Sequence, residues 1–125
     1  MYFFRAWHEY GKSARPTKPG MIYDEMPGDC LLWKNQNQKI IKIMQSTGRE
    51  DVIGKKIYEY DIVIGKAIAD CDLEEIVFKG IVKYDFDECC YYVENYEYIW
   101  PYISFRFIKE IKVIGNIYEG EVNYA

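Results

Sequence analysis

The stretch Lys42–Ile64, KIMQSTGREDVIGKKIYEYDIVI, decides the fold of this chain because it places a glycine-containing loop directly before an apolar strand. Gly48 and Gly54 bracket the predicted loop over residues 46–56, and each can take a positive φ at no steric cost. Between Ile57 and Ile64 the apolar residues first alternate and then become continuous, which is typical of a strand that begins at a rim and enters a core. The stretch therefore predicts β structure.

Short apolar runs separated by turn residues fill the rest of the sequence. A shorter echo of the opening stretch, KVIGNIYEG, returns at Lys112–Gly120. Residues 76–84 and 88–93 flank Asp85-Phe86-Asp87 and predict a hairpin. Gly80, in the middle of the first hairpin strand, indicates a bulge or a sharp coil.

The run Ile108–Ile114 shows one conflict with simple alternation. Ile108, Glu110 and Lys112 share one face of a regular strand, and Ile111 falls on the other. A β-bulge or a helical turn in this run would reconcile the pattern.

These patterns predict a mainly β fold. The 125 residues suit a single domain, and 13 tyrosines favour half-buried strand positions. No linker rich in Gly, Ser or Pro divides the chain, so residues 1–125 are predicted to form one domain. We expect an antiparallel β sandwich or a partly open SH3-like barrel with little helix.

Charge is divided unevenly along the chain. The net charge is −4, but residues 1–66 hold 11 Lys and Arg against 8 Asp and Glu, whereas residues 67–125 hold 5 against 12. An acidic chain is repelled by phosphate backbones, which disfavours nucleic acid as a partner. With no export signal and no apolar run of membrane-spanning length, we expect a cytoplasmic protein with reduced thiols and no membrane contact.

No constellation for catalysis, metal binding or cofactor binding stands out. His8 is the sole histidine, and the adjacent Cys89 and Cys90 would point to opposite faces of a strand. The acidic run Asp70–Glu75 lacks the layout of a calcium loop, and the glycines form no phosphate-binding motif. The sequence predicts a protein that is not an enzyme and carries no cofactor.

Four blocks give the chain a family resemblance: Phe4-Arg5-Ala6-Trp7, residues 44–48 continuing to 54–59, Asp61-Ile62-Val63, and residues 113–119. Together they resemble the YopX family of bacteriophage and prophage proteins. The resemblance implies a mainly β fold and a phage or prophage origin, and it implies no established activity and no catalytic residues. The middle of the chain, from about residue 66 to 105, carries little of it. The family usually has glycine where this chain has Tyr60, so Tyr60 is expected to adopt an uncommon backbone conformation or to alter that rim.

The predicted function is a non-enzymatic module that docks a host or phage protein. Its candidate interaction surface is Tyr96, Tyr98, Trp100 and Tyr102, because exposed aromatic residues anchor protein interfaces. The alternative is a small β-barrel that binds nucleic acid through a basic loop at Arg49, Lys55 and Lys56. A metal-assisted hydrolase is the third hypothesis. Free β edges also allow a homo-oligomer.

Overall fold

A computed structural model describes residues 3–10, 20–27, 38–68, 75–95, 97 and 101–121. The chain divides into two compact units, residues 1–48 and 49–125. The described strands are β1 (Phe4–Tyr10), β2 (Gly20–Tyr23), β3 (Gln38–Glu50), β4 (Lys56–Tyr58), β5 (Asp61–Ile68), β6 (Glu75–Asp85), β7 (Cys90–Glu94), β8 (Tyr102–Ser104), β9 (Ile108–Asn116) and β10 (Gly120–Glu121). A 3₁₀ turn, Phe105–Phe107, is the only helical element in these ranges.

In the first unit, β1 lies between β2 and β3 in an antiparallel sheet. Ala6 and Met44 are fully buried, and Arg5 is 1% exposed. The start of β1 is held on both sides, since the amide of Phe3 donates to Ser46 Oγ (3.1 Å) and the amide of Phe4 donates to Asp24 Oδ2 (2.8 Å). The strand order of this sheet is β2-β1-β3-β4.

The second unit contains a six-stranded antiparallel sheet in the order β10-β9-β5-β6-β7-β8. The core of this unit is built mainly from side chains of these strands that face one side, together with Ile57 of β4 and Phe105 of the 3₁₀ turn. The buried members are Ile57, Val63, Ala67, Phe78, Val82, Val93, Phe105, Ile108, Ile111 and Val113. Two antiparallel sheets with little helix confirm the predicted mainly β fold class, and they are consistent with a β sandwich or a partly open barrel.

The predicted loop at residues 46–56 is shorter in the structure. Strand β3 continues to Glu50 and carries Gly48 within it at φ 82°, so residues 46–50 are strand and the prediction was wrong for them. The loop itself spans residues 51–55, where Gly54 has φ 84°. Both glycines adopt the positive φ that the sequence predicted, but the first one shapes a strand and the second one a turn.

The carboxylate of Asp51 holds this loop. Its Oδ1 accepts hydrogen bonds from the amides of Ile53 (3.0 Å) and Lys55 (2.9 Å), and its Oδ2 accepts one from the amide of Val113 in β9 (3.0 Å). The amide of Val52 donates to the carbonyl of Ile111, also in β9 (2.9 Å). One side chain, only 7% exposed, thus closes the turn and fastens it to a strand 62 residues away.

The strand predicted over Ile57–Ile64 is interrupted. A turn at Glu59 and Tyr60 separates β4 from β5, and Asp61 Oδ2 accepts a hydrogen bond from the amide of Tyr58 across it (2.8 Å). Tyr60 has φ 65°, the left-handed conformation that glycine adopts more easily. The prediction of one continuous strand was wrong, because the alternation of residues 57–64 does not indicate a turn. Of the two alternatives that the family resemblance offered at Tyr60, the uncommon backbone conformation is confirmed.

The two segments that echo each other in sequence lie side by side. Asp61 pairs with Asn116, and the carbonyl of Tyr60 accepts a hydrogen bond from the amide of Ile117 (3.0 Å). Asn116 is fully buried, and its Oδ1 accepts from the amides of Tyr118 (3.0 Å) and Glu119 (2.9 Å). Each of the two similar segments therefore contains a turn that is closed by a buried side chain, Asp61 in the first and Asn116 in the second.

The irregularity predicted in β9 is a β-bulge. Ile64 pairs with Lys112 and Lys66 with Lys109, so β9 contains one more residue than β5 between these pairs. The bulge contains Glu110 at φ 54°, and it brings Ile108 and Ile111 to the buried face while Glu110 is exposed. A bulge, not a helical turn, resolves the conflict in the alternation.

The hairpin predicted around Asp85-Phe86-Asp87 is confirmed as β6 and β7. Gly80 does not mark a bulge there, because the pairing of β5 with β6 is continuous past Val63 and Gly80. The glycine is needed for close packing instead. A Cβ at position 80 would lie 2.5 Å from the carbonyl oxygen of Glu94 and 2.8 Å from Cγ1 of Val93.

Candidate binding groove

A groove of about 740 Å³ opens at the end of the six-stranded sheet where the β6–β7 turn meets β8 and the 3₁₀ turn. Aromatic, acidic, thiol, hydroxyl and guanidinium groups line it. The lining residues are Tyr84, Asp85, Phe86, Asp87, Glu88, Cys90, Tyr92, Tyr102, Ser104, Arg106 and Phe107. We call this site the β6–β8 groove.

The tip of the hairpin forms one wall of the β6–β8 groove. Asp85 Oδ1 accepts hydrogen bonds from the amides of Asp87 (2.9 Å) and Glu88 (3.2 Å), which closes the turn and brings three acidic residues together. Phe86 lies between them in sequence and is 82% exposed. The folded structure therefore presents a large apolar ring among carboxylates.

Phe86 contacts the ring of Tyr84, the first in a series of aromatic contacts. Its ring meets that of Tyr84 edge-to-face at 5.1 Å, and Tyr84 meets Tyr91 at 5.0 Å. Tyr91 in turn lies 6.2 Å from Phe105, which is buried. Edge-to-face contacts of this kind stabilise ring pairs beyond their burial, so the exposed ring at the tip is connected to the core through aromatic contacts.

Strand pairing places Tyr92 and Tyr102 together in the groove. Register alternation puts Tyr92 of β7 and Tyr102 of β8 on the sheet face opposite the buried Val93, and their rings meet edge-to-face at 5.5 Å. Burial raises the pKa of the Tyr92 hydroxyl, with a smaller contribution from the nearby Glu94 carboxylate. The Tyr92 hydroxyl is consequently neutral near pH 7.

An ion pair lies on the same face beside Tyr92. Lys83 Nζ is 2.8 Å from Oε2 of Glu94, whose side chain is 5% exposed. This hydrogen bond raises the pKa of Lys83, and burial offsets part of the effect. Because Lys83 neutralises the charge of the Glu94 carboxylate, the negative charge of the groove comes from the hairpin tip.

The other wall of the β6–β8 groove comes from the 3₁₀ turn. Phe105 points into the core, whereas Phe107 is 63% exposed and the guanidinium carbon of Arg106 lies 5.3 Å from its ring centroid. Three carboxylates against this single guanidinium leave the lining with a net charge of −2. The groove therefore combines exposed rings with excess negative charge.

Of the four residues of the predicted interaction surface, Tyr102 is the one that the structure describes. Tyr102 is 52% exposed and lines the groove. Tyr96, Tyr98 and Trp100 lie outside the described residues. The exposed aromatic residues that the structure describes around the groove are Tyr102, Phe86 and Phe107.

The three residues of the predicted basic loop lie around the 51–55 turn. Arg49 is engaged within the unit, since its Nη1 donates to the carbonyl of Phe105 (2.9 Å) and its guanidinium carbon lies 5.3 Å from the Phe105 ring centroid. Lys55 is half-buried and gives its amide to Asp51. Lys56 is exposed at the start of β4. Arg49 thus serves the fold, and nucleic-acid binding by this loop stays a prediction.

Sequence reasoning missed the hairpin tip as part of the site. The signal was present, because Phe86 stands between two aspartates in a predicted turn, where an aromatic residue has no strand face to bury it. At the adjacent cysteines, Cys89 is exposed with φ 52°, and Cys90 is half-buried in the groove lining, both as free thiols. Cys30 and Cys71 lie outside the described residues.

Other kinds of site are not apparent in the part of the chain that the structure describes. No three His, Cys, Asp or Glu residues there come together in a way that would hold a metal ion. Nor does that part contain a helix long and apolar enough to cross a membrane.

Fold and groove define a small, mainly antiparallel β protein with an aromatic and acidic groove at one end of a six-stranded sheet. The family model described as YopX protein matches residues 3–121, nearly the whole chain, and the chain belongs to this family. Membership suggests a bacteriophage or prophage protein. No curated protein and no solved structure shows significant similarity to the chain.

Proposed function

We propose that this protein is a non-enzymatic binding module that docks a protein of the phage or of its host through the β6–β8 groove. The observation that supports the proposal is the exposure of three aromatic side chains around one groove, Phe86 at 82%, Phe107 at 63% and Tyr102 at 52%. Exposed rings gathered in a concave site are typical of interaction surfaces, because their burial against a partner is the main source of binding free energy.

The geometry favours recognition by preformed groups. Phe86 contacts Tyr84, Tyr102 contacts Tyr92, and Arg106 lies over Phe107, so each exposed ring has a neighbour that limits its motion. Side chains that are already ordered lose less entropy when a partner binds. Such a groove supports docking of a protein segment without a conformational change in the sheet.

Charge supports a protein partner over nucleic acid. Asp85, Asp87 and Glu88 stand at the rim of the groove, where they would repel a phosphate backbone. Residues 67–125, which contain the groove, hold 12 acidic residues against 5 basic ones. A protein surface with complementary charge meets no such repulsion.

The proposal is tested by capture from a lysate of host cells that carry the phage or prophage. Tagged wild-type protein is compared with the double variant Phe86→Ser/Phe107→Ser and with Val77→Ser, a matched control that removes an apolar side chain 57% exposed on β6 outside the groove. We expect a specific partner with the wild type and the control, and loss of that partner with the double variant. Equal capture by all three proteins, or capture by none, contradicts the proposal.

A further inference from the structure

We propose that the β6–β8 groove recognises an arginine-containing segment of its protein partner. This inference rests on the proposed function and names the chemistry of the docked segment. Two features of the groove select it: exposed aromatic faces, and an excess of carboxylates over cations in the lining. A guanidinium group satisfies both at once, because it stacks on rings and forms paired hydrogen bonds with carboxylates.

The hairpin tip supplies the two kinds of contact within four consecutive residues. Phe86 offers an exposed ring, and Asp87 and Glu88 directly after it are exposed carboxylates. Asp85 contributes less to the ligand, since its Oδ1 is already engaged by two amides of the turn. An arginine side chain laid along Phe86 would therefore reach the carboxylates of Asp87 and Glu88 with its guanidinium.

The second unit already uses this chemistry within the chain. Arg49 lies over the ring of Phe105 and donates to its carbonyl, and Arg106 lies over the ring of Phe107, both with 5.3 Å between guanidinium carbon and ring centroid. These contacts show that planar guanidinium groups fit the rings beside the groove. Lysine, a compact and strongly hydrated cation, lacks the planar face and the fork of donors, so it should bind less well.

The opposite wall provides the apolar contact that an extended segment needs. Tyr92 and Tyr102 form an edge-to-face pair in the lining, and Phe107 is exposed beside Arg106. Since Arg106 carries a positive charge at this wall, the arginine of the partner is directed to the acidic hairpin tip. An aliphatic or aromatic residue of the same segment would pack on the tyrosine pair.

The first arm of the test uses short peptides as probes. A nine-residue peptide containing two arginines and one leucine in a glycine and serine background is compared with versions in which lysine or glutamate replaces arginine. Binding is followed by amide chemical shifts in ¹⁵N spectra. We expect the arginine peptide to shift signals of residues 85–92 and 102–107, the lysine peptide to bind several-fold more weakly, and the glutamate peptide not to bind. Absence of shifts with the arginine peptide overturns the inference, as does equal binding of the lysine peptide.

The second arm removes the charge of the site. Asp87→Asn/Glu88→Gln is compared with Glu25→Gln/Glu50→Gln, a control that removes the same charge from exposed positions outside the groove. Loss of two exposed ion pairs should weaken arginine-peptide binding roughly tenfold, and the control should bind like the wild type. Unchanged binding by the groove variant contradicts the inference.

The two proposals fail separately. If Phe86→Ser/Phe107→Ser abolishes capture of the cellular partner and Asp87→Asn/Glu88→Gln leaves it intact, the groove docks a protein but does not recognise arginine. If the captured partner is a second copy of this chain, the same pair of variants shows whether that copy is held through an arginine. Loss of capture in both variants supports the inference.

Discussion

Replacing Asp51 with alanine should lower the free energy of unfolding by roughly 3–5 kcal/mol, because three hydrogen bonds to a nearly buried carboxylate are lost together. Val113 in β9 is fully buried, and the amides of Ile53 and Lys55 close the 51–55 turn. Each donor deprived of a charged acceptor costs about 1–3 kcal/mol, with the smaller values for the partly exposed turn amides.

The assay is urea unfolding followed by circular dichroism, where the change appears as a lower midpoint at constant slope. For a chain of this length each kcal/mol corresponds to about 4 °C in Tm, so thermal unfolding should shift by roughly 12–20 °C. Asp51→Asn retains one acceptor oxygen and directs an NH₂ group at the other donors, so it should recover only part of the loss. The control is Glu50→Ala at the exposed neighbouring position, which should change stability by less than about 0.5 kcal/mol.

A loss below about 1 kcal/mol for Asp51→Ala would refute the reasoning. It would mean that water or a rearranged loop satisfies the three amides, and that the turn is not fastened to β9 through this side chain. If Asp51→Ala shows the full loss of stability and Asp51→Asn is as stable as the wild type, a single acceptor oxygen is enough to hold the turn.

Three further predictions concern the backbone and the ion pair. Because Tyr60 has φ 65°, the Tyr60→Gly variant should have a free energy of unfolding about 1 kcal/mol higher than the Tyr60→Ala variant in urea unfolding, the reverse of the usual order of the two residues. Equal stability of the two variants would disprove strain at this turn. Gly80→Ala should cost about 1–3 kcal/mol, measured as a Tm decrease, since its Cβ meets a backbone carbonyl; an unchanged Tm would show that β7 moves away freely. The pKa of Lys83 is raised by its hydrogen bond to Glu94 and that of Tyr92 by burial, so the folded protein holds protons that the unfolded chain releases near pH 10. The free energy of unfolding should therefore be retained below about pH 10 and decline above it. Glu94→Gln should make this decline shallower, and an identical dependence of the free energy of unfolding on pH in the variant would exclude the ion pair as its cause.

The strands were predictable because their side chains alternate, and so was the bulge in β9. The pattern from Ile108 to Ile114 conflicts with regular alternation, and an inserted residue is a local solution that sequence can indicate. The break between β4 and β5 was not predictable in the same way. It depends on Tyr60 adopting φ 65°, on Asp61 accepting from the amide of Tyr58, and on pairing with Asn116 far along the chain. Tertiary contacts of this kind override the local pattern.

The groove was predictable only in outline. Tyr102 was identified because a strand must expose alternate residues, and the structure places it on the face opposite Val93. The exposure of Phe86 and Phe107 depends on the hairpin turn and on the 3₁₀ turn, whose directions are set by side-chain hydrogen bonds and core packing. The role of Arg49 could not be read from its charge, because the contact with Phe105 joins residues 56 positions apart.

The blocks that carry the family resemblance and the residues that form the groove occupy different parts of the chain. Residues 54–63 and 113–119 build the two neighbouring turns around Tyr60, Asp61 and Asn116, where backbone hydrogen bonds and buried side chains hold the sheet. The groove is built from residues 84–107, which contain none of the four blocks, although the family model also spans them. Side chains at a hairpin tip and an exposed turn can change without disturbing those buried turns, because they do not contribute to the core. These blocks build part of the β scaffold. Under the proposed function the groove determines which partner is bound, so exchanging residues 85–88 for a different turn of equal length should abolish capture of the wild-type partner and leave the circular dichroism spectrum unchanged.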